Sequence, residues 1–329
     1  MADEATHADV EVDDVDSAYG DGSDPVPSSA NTSLHSSVLK YEWKHGRRYH
    51  SFQSGSYNFP NDEMEQERLD MIHHVFFRLM RDKLFLAPID PNAGLRILDI
   101  GTGTGLWAIH MGDDYPGAAE IVGNDLSPIQ PHWIPPNVHF VVDNVELDWD
   151  SEDKPFDYIH CRYMAGGILD WPRLVRQMYA NTKPGGWVEF QESVNTLYSQ
   201  DETLKKDNAM VRMMDGLAEA CDKTGRTLDP APSMKRWAEE AGFVNVEEKR
   251  FRLPIGSWPR DPRLKEVGTL MGVNFVEGVE AFTAVLFKDV LGWSAEEVQA
   301  LNAGVRAAVR KGDAHAIFDF LVITGQRPE

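Results

Sequence analysis

The stretch Ile97-Leu98-Asp99-Ile100-Gly101-Thr102-Gly103-Thr104-Gly105 decides the fold. An apolar strand over Arg96–Ile100 runs into three closely spaced glycines, and the pattern that follows predicts a helix over 104–114. Glycines at such a turn let the backbone bend sharply and let a ligand approach without a Cβ in the way. We therefore predict a nucleotide-like ligand at the end of this strand.

The spacing of the glycines separates three kinds of nucleotide site. The dinucleotide fingerprint G-x-G-x-x-G needs a glycine at position 106, where Leu106 stands. A phosphate-binding P-loop needs Gly-Lys followed by Ser or Thr, and this chain has no such sequence after the glycines. The remaining pattern, G-x-G-x-G preceded by the acid Asp99, resembles motif I of class I methyltransferases.

Strands and helices alternate on both sides of this loop. Further strands are predicted at Glu120–Asn124, Val138–Asp143, Phe156–Cys161, Gly186–Gln191, Val244–Leu253 and Ala316–Gly325, with helices at 63–86, Trp171–Asn181, 203–223, Ser233–Ala241 and over most of 263–311. Alternation of this kind implies parallel pairing with right-handed crossovers. We predict an α/β fold: a doubly wound, mostly parallel seven-stranded sheet, Rossmann-like, with helical cap insertions at 196–230 and 263–311.

Charge and composition bound the class of protein. The net charge is −21, and nine of the acids fall in the first 31 residues, which contain no Lys or Arg. We predict a disordered acidic tail over 1–35 and a methyltransferase domain over 36–329. The remainder is also acidic, which argues against direct nucleic-acid binding and against an anionic membrane surface.

Targeting and redox signals are sparse. The N-terminus lacks a signal-peptide pattern, and no apolar run is expected to span a bilayer. Cys161 and Cys221 are far apart and resemble neither a disulfide framework nor a metal site, so no metal is expected. These features favour a cytoplasmic or nuclear location.

Beyond motif I, several segments make the chain resemble the LaeA-like fungal methyltransferases. They are Tyr57-Asn58-Phe59-Pro60-Asn61-Asp62-Glu63, Leu126-Ser127-Pro128-Ile129-Gln130-Pro131, Arg162-Tyr163-Met164-Ala165-Gly166, Gly185-Gly186-Trp187-Val188-Glu189-Phe190-Gln191-Glu192 and Leu253-Pro254-Ile255-Gly256-Ser257-Trp258-Pro259. Asn124-Asp125 and Asp143-Asn144 depart from the more usual residues of the family. The resemblance implies S-adenosyl-L-methionine as cofactor, although it does not reveal the methyl acceptor.

Residues at the strand ends complete the expected cofactor site. An acid at the end of the second strand, Asp125, can accept hydrogen bonds from both ribose hydroxyls, with Leu126 beside it. By the resemblance, Asp143 meets the adenine amino group, and the backbone N–H of Asn144 or Val145 meets a ring nitrogen. Asp99, Gly101, Thr102, Gly103 and Gly105 form the loop that faces the cofactor.

The resemblance also implies that residues 41–62 fold over the cofactor as a lid. Tyr49 and Tyr57 then offer hydroxyls and ring faces to the cofactor, or simply pin the segment to the domain. Arg162 pairs with the methionine carboxylate, or braces the lid through Asp62 or Glu63.

No catalytic residue is assigned from the sequence. Methyl transfer from a sulfonium is a direct displacement, so a base is needed only if the acceptor must lose a proton. His160 and Glu192 are the candidates. His160 is expected in mid-strand, where a structural role competes with a catalytic one, and Glu192, just past a strand, is better placed to bind or deprotonate an acceptor or is a surface-loop carboxylate. The apolar residues Met210, Met213, Met214, Trp258, Met271, Phe275 and Phe282 line an acceptor pocket or form core.

Three functions compete at this point. The leading hypothesis is an O- or N-methyltransferase that acts on a small molecule of fungal secondary metabolism. The alternative is a LaeA-like nuclear regulator that acts through protein partners or protein methylation. A cofactor-binding protein with vestigial transfer is disfavoured by the intact glycines and Asp125.

Overall fold

A computed structural model describes residues 41–52, 55, 57–149 and 154–329. The predicted acidic tail over 1–35 lies outside these residues and stays a prediction. In chain order the strands are β1 (Tyr41–Lys44), β2 (Arg47–His50), β3 (Arg96–Ile100), β4 (Glu120–Asp125), β5 (Val138–Val142), β6 (Phe156–Arg162), β7 (Thr182–Tyr198), β8 (Val244–Pro254) and β9 (Ile317–Gln326). The α-helices are α1 (Glu63–Leu79), α2 (Leu106–Asp114), α3 (Trp171–Asn181), α4 (Ala209–Lys223), α5 (Ala231–Ala241), α6 (Pro262–Val285) and α7 (Ala295–Lys311).

A seven-stranded sheet with the order β5-β4-β3-β6-β7-β9-β8 forms the centre of the domain. Neighbouring strands from β5 to β7 are parallel, whereas β9 runs antiparallel to both β7 and β8. The predicted doubly wound, mostly parallel seven-stranded sheet is confirmed.

The strand order reverses beside β3. The chain moves outward from β3 to β4 and β5 and then returns to place β6 on the other side of β3. The loops that leave β3 and β6 therefore diverge, and a crevice opens at the carboxyl ends of these strands. Open α/β sheets bind ligands at such a switch point.

Helix α1 begins where the sequence predicts and ends earlier. The Asp62 side chain accepts a hydrogen bond from the backbone N–H of Glu65 at 3.1 Å, which caps the helix N-terminus. The Glu65 carboxylate binds Arg68 rather than completing a capping box. The helix stops at Leu79 instead of 86 because Arg81 and Asp82 adopt left-handed φ values of 63° and 60°.

Strand β7 is much longer than the predicted Gly186–Gln191. It pairs with β9 from Trp187 to Tyr198, and this antiparallel ladder extends the strand beyond its parallel neighbour. The sequence pattern does not reveal the partner, so the prediction ended too early. As a result, Glu192 lies within a strand and not on a surface loop.

The cap consists of α4, α6, a π-helical turn at Leu286–Val290, and α7. These elements pack on one another, and α6 also packs along α1. Their buried side chains form one apolar cluster that continues into β9 through Phe318 and Phe320. The predicted cap segments 196–230 and 263–311 thus contain helices that enclose one side of the sheet.

One helical stretch corrects the expectation that no segment could span a bilayer. Pro262–Val290 is long and apolar enough by length and composition, but 67% of its most apolar 18-residue window is buried inside the protein. Core helices pass the same criterion, and the contacts of α6 with α1, α7 and β8 are those of a core helix.

Candidate functional site

A cavity lies at the carboxyl ends of β3, β4, β5 and β6. It brings together most of the residues that the sequence assigns to the cofactor: Tyr57, Asp99, Gly101, Thr102, Gly103, Asp125, Leu126, Asp143, Asn144, Val145 and Arg162. Two assigned residues, Tyr49 and Gly105, do not line it. We refer to this space as the cofactor pocket.

The glycine loop is held in place by the acid that precedes it. One oxygen of Asp99 accepts a hydrogen bond from the Thr102 hydroxyl at 2.6 Å, and the other accepts one from Nδ1 of His160 at 2.8 Å. His160 is fully buried and its ring stacks on Trp107 with centroids 3.8 Å apart. His160 does not line the cofactor pocket, so the structure gives it a positioning role through Asp99 and not that of a base at the acceptor.

Two glycines of the loop serve different purposes. Gly103 has φ +57°, and a Cβ there would meet only Leu69, at 3.7 Å, so it would project into space that the loop leaves for a ligand. Gly105 has φ +80°, and a Cβ there would lie 2.3 Å from the ring of Phe140. Gly105 is therefore required for the packing of the start of α2, which explains why it does not line the pocket.

Asp125 ends β4 with both carboxylate oxygens turned toward the loop. One oxygen accepts the backbone N–H of Gly103 and the other that of Ser127, each at 2.9 Å. Burial raises the pKa of this carboxyl, and the two backbone hydrogen bonds lower it in part. Each oxygen keeps a second lone pair, so the carboxylate is able to accept two further hydrogen bonds, as a ribose diol requires.

The end of β5 carries the expected adenine contacts. Asp143 is exposed and accepts the backbone N–H of Asn144 at 2.8 Å, while Asn144 and Val145 are buried. Because the Asn144 N–H is engaged by Asp143, the N–H of Val145 is the better placed of the two predicted donors.

Arg162 ends β6 and enters the cofactor pocket. The structure excludes the alternative that it braces the lid, because Asp62 pairs with Arg47 at 2.5 Å and Glu63 with Arg48 at 2.7 Å. Among the described residues no carboxylate forms an ion pair with Arg162, and burial lowers the pKa of its guanidinium to about 10. A buried cation of this kind fits the carboxylate of an amino-acid ligand.

Two histidines that sequence reasoning missed hold this guanidinium. Arg162 donates to Nδ1 of His73 at 2.9 Å, so His73 carries its proton on Nε2 and donates to Nδ1 of His110 at 3.2 Å. Nε2 of His110 in turn faces Asp114 at 3.5 Å. Burial and the charge of Arg162 lower the pKa of His73 to about 2, which keeps His73 neutral and able to accept. The spacing of His73 on α1 gives no signal for this role.

The segment 41–62 contacts the pocket through its last residues. Strands β1 and β2 form a hairpin that the sequence did not predict, and β2 is tied to the start of α1 by the pairs of Arg47 and Arg48. Asn61 reaches across to the Ser127 hydroxyl at 3.2 Å, and Tyr57 lines the pocket. Tyr49 is buried in β2 away from the pocket, so its ring pins the segment to the domain.

A second cavity lies under the cap. It shares Tyr57 and Tyr163 with the cofactor pocket, and we refer to it as the cap cavity. Of the apolar residues that the sequence offered as an acceptor lining, four do line it: Met214, Met271, Phe275 and Phe282. The other three, Met210, Met213 and Trp258, do not line it.

Glu192 supports the segment of chain that lies between the two cavities. Its side chain accepts the backbone N–H groups of Met164 and Ala165, at 2.7 and 3.0 Å, and that of Ser193 at 2.9 Å. Burial raises the pKa of Glu192 to about 7, and these hydrogen bonds lower it in part. Glu192 is 1% exposed and lines neither cavity. The structure thus makes it a brace for the loop after β6, in place of the expected surface carboxylate.

Comparison with known proteins agrees with this geometry. A family model described as a methyltransferase domain matches residues 71–248. The chain is 65% identical over 300 residues to methyltransferase pytC of Aspergillus terreus, which covers 91% of this chain and 92% of that protein.

More distant relatives carry other names. Over 291 residues the chain is 35% identical to secondary metabolism regulator LAE1 of Cochliobolus heterostrophus, covering 87% of this chain and 94% of that one. Over 295 residues it is 30% identical to protein-methionine methyltransferase laeA of Emericella nidulans, covering 88% and 77%. The chain therefore belongs to the LaeA-like class I methyltransferases, and S-adenosyl-L-methionine is its cofactor.

Proposed function

We propose that this enzyme transfers a methyl group to an oxygen or nitrogen atom of a small molecule in fungal secondary metabolism. The observation that carries the proposal is the cap cavity, which adjoins the cofactor pocket at Tyr57 and Tyr163. A concave, largely apolar cavity suits a compact molecule, whereas an extended peptide needs a long groove or a sheet edge.

The relatives support the same choice. The protein that is 65% identical is named a methyltransferase, whereas relatives named as regulators are 30–35% identical and one named a protein-methionine methyltransferase is 30% identical. The regulators' names connect the family to secondary metabolism.

Within this proposal the chain's residues bind and orient. Asp125 accepts the ribose hydroxyls, Asp143 and Val145 meet the adenine, and Arg162 takes the methionine carboxylate. The cofactor supplies a methyl group on a sulfonium, which is already activated for displacement. Residues 41–62 act as the lid that keeps water from the reacting atoms.

The proposal assigns no general base. Burial raises the pKa of both Tyr57 and Tyr163, so their hydroxyls stay protonated at neutral pH and serve as hydrogen-bond donors. The residues that line the cap cavity include neither a carboxylate nor an imidazole. An acceptor whose nucleophilic atom needs no deprotonation in the cavity fits this lining.

Labelled cofactor tests the acceptor class. Purified protein is incubated with methyl-labelled S-adenosylmethionine and a fungal extract separated into small-molecule and protein fractions, with Asp125→Asn as the control for weakened cofactor binding. We expect label in the small-molecule fraction. Label confined to protein would overturn the proposal and favour a LaeA-like regulator that methylates proteins.

The regulatory alternative keeps two lines of support: 30–35% identity to relatives named as regulators, and 30% identity to a relative named a protein-methionine methyltransferase. It places the protein in the nucleus with a protein partner, whereas the enzyme works in the cytoplasm or nucleus. A tagged full-length chain, followed by microscopy and by recovery of bound proteins, separates these cases.

A further inference from the structure

The cap cavity has an apolar body, a polar end beside α1, and two further polar residues in its lining, Ser193 and Asn195. Its apolar surface comes from aromatic, methionine and leucine side chains of α4, α6 and β9, among them Leu217, Phe275, Phe282 and Phe318. At the polar end stand Arg68, Asn274 and the hydroxyl of Tyr163. Ligand sites commonly combine such an apolar lining with a few polar groups that fix orientation.

The charge at the polar end is balanced inside the protein. Arg68 is the cation of the lining, and it makes two hydrogen bonds to Glu65, Nε to one oxygen at 2.9 Å and Nη2 to the other at 2.6 Å. The two side chains are 4% and 2% exposed. A bidentate pair buried to this degree leaves no net charge to attract an ionic ligand, and an ion entering the cavity would lose its hydration without a counter-charge.

The same pair positions hydrogen-bonding groups toward the cavity. Arg68 Nη1 donates to the side-chain oxygen of Asn274 at 2.7 Å and approaches the Tyr163 hydroxyl at 3.5 Å. Within the described part of the chain, the amide nitrogen of Asn274 then has only the sulfur of Met271, at 3.8 Å, as a partner. The Asn274 amide and the Tyr163 hydroxyl are consequently available to donate to a neutral oxygen or nitrogen.

Tyr163 lies between this end and the cofactor pocket. It lines both cavities and holds φ +58°, a left-handed value that is strained for a residue other than glycine. The loop that follows it is braced by Glu192. A ligand bound at the polar end thus lies against the wall shared with the cofactor pocket.

Resting on the proposed function, we infer that the cap cavity binds the methyl acceptor as an uncharged, largely apolar molecule, oriented by hydrogen bonds from Tyr163 and Asn274. Because Arg68 and Glu65 are paired with each other, the cavity offers a charged molecule no counter-charge and selects against it. The occupant is the acceptor because the cavity borders the cofactor pocket at Tyr57 and Tyr163.

Three probes of one shape test the charge preference. Protein saturated with S-adenosylhomocysteine is titrated by calorimetry with 2-naphthol, 2-naphthoate and 2-naphthylmethylammonium, which are neutral, anionic and cationic at neutral pH. We expect 2-naphthol to bind at least tenfold more tightly than either ion. Equal affinities, tighter binding of an ion, or no binding of 2-naphthol would overturn the inference.

Two variants, Leu217→Trp and Asn274→Asp, and one control substitution, Asp215→Trp, locate the site. Leu217→Trp fills the cavity and should abolish 2-naphthol binding, whereas Asp215→Trp places the same ring at an exposed position of α4 and should leave it within twofold. Asn274→Asp adds one negative charge at the polar end and should shift the preference toward 2-naphthylmethylammonium by at least tenfold. A structural defect would not invert the charge preference, so Asn274→Asp remains decisive if Leu217→Trp is unstable.

Binding of S-adenosylhomocysteine separates failure of this inference from failure of the proposed function. If it binds and the probes show no preference, the inference fails while the methyltransferase assignment is untouched. If 2-naphthol binds as expected but labelled cofactor marks only protein, the proposed function fails and the cavity serves another neutral ligand.

Discussion

Replacement of Asp125 by Asn tests the cofactor site most directly. In the native chain each carboxylate oxygen accepts one backbone N–H, from Gly103 or Ser127, and has one lone pair left for a ribose hydroxyl. An Asn amide has one oxygen, so in either orientation its NH₂ group faces a backbone N–H. One backbone donor and one ribose hydroxyl then lose their acceptor.

The magnitude follows from these lost partners. A hydrogen bond to a charged acceptor contributes about 1.5–3 kcal/mol. Since ~1.4 kcal/mol corresponds to a factor of ten, affinity for S-adenosylhomocysteine should fall roughly 10-fold to 150-fold. The matched control is Asp113→Asn, which makes the same substitution at an exposed position of α2 and should bind normally.

The pH dependence adds a second signature. Burial raises the pKa of Asp125 above its ordinary value, and binding needs the ionised form. Affinity of the native protein is therefore full above the raised pKa and falls as the pH drops through it, while Asp125→Asn loses this dependence. Calorimetric titrations over a range of pH values measure both effects. An affinity unchanged within twofold, with the native pH profile, would refute the assignment of Asp125 to the ribose.

Three further changes probe the surroundings of the site. His73→Leu removes the acceptor of Arg162 and should weaken binding of S-adenosylmethionine about 3–10-fold, whereas His73→Gln offers a new acceptor oxygen and should restore part of it; equal effects of the two would contradict the positioning role. The pKa of Glu192 is raised to about 7, so its contribution to folding stability is greatest at low pH and is lost as the pH rises toward 7. The free energy of unfolding should therefore fall by up to ~1.4 kcal/mol per pH unit. In Glu192→Gln this slope, measured by denaturant titration from pH 4.5 to 7, should disappear. Gly103→Ala at φ +57° should cost about 1 kcal/mol of folding stability and more than tenfold in cofactor affinity, and normal affinity would show that the loop is not in contact with the cofactor.

The cofactor half of the site was predictable because its signals are local. Asp99 lies near the end of one strand, Gly103 lies in the loop that follows it, and Asp125 ends the next strand in the chain. Parallel strands place these ends at the same edge of the sheet, so order along the chain is enough to bring them together.

The parts that sequence missed depend on contacts between distant residues. The β1–β2 hairpin has charged residues in place of a clear apolar alternation, and it is held by the pairs of Arg47 and Arg48 with the start of α1. Glu192 was placed on a loop because the extension of β7 depends on β9, more than 100 positions later. Gly105 was assigned to the cofactor because a loop glycine gives no sign of whether its missing Cβ makes room for a ligand or for Phe140.

The two cavities differ in whether their charged side chains are available to a ligand, and this difference bears on function. The cofactor pocket contains Arg162 without an ion-pair partner among the described residues, together with Asp125, whose carboxyl has a raised pKa. These two side chains are available to a zwitterionic, nucleoside-bearing ligand. In the cap cavity Arg68, the one cation among the described residues of the lining, is already neutralised by Glu65. Since Tyr163 contributes to both, a methyl donor selected by its charges meets an acceptor selected by shape and by neutral hydrogen bonds. An acidic or basic peptide would find no counter-charge in the cap cavity, and for this reason the geometry favours a neutral metabolite over a charged protein segment as the acceptor.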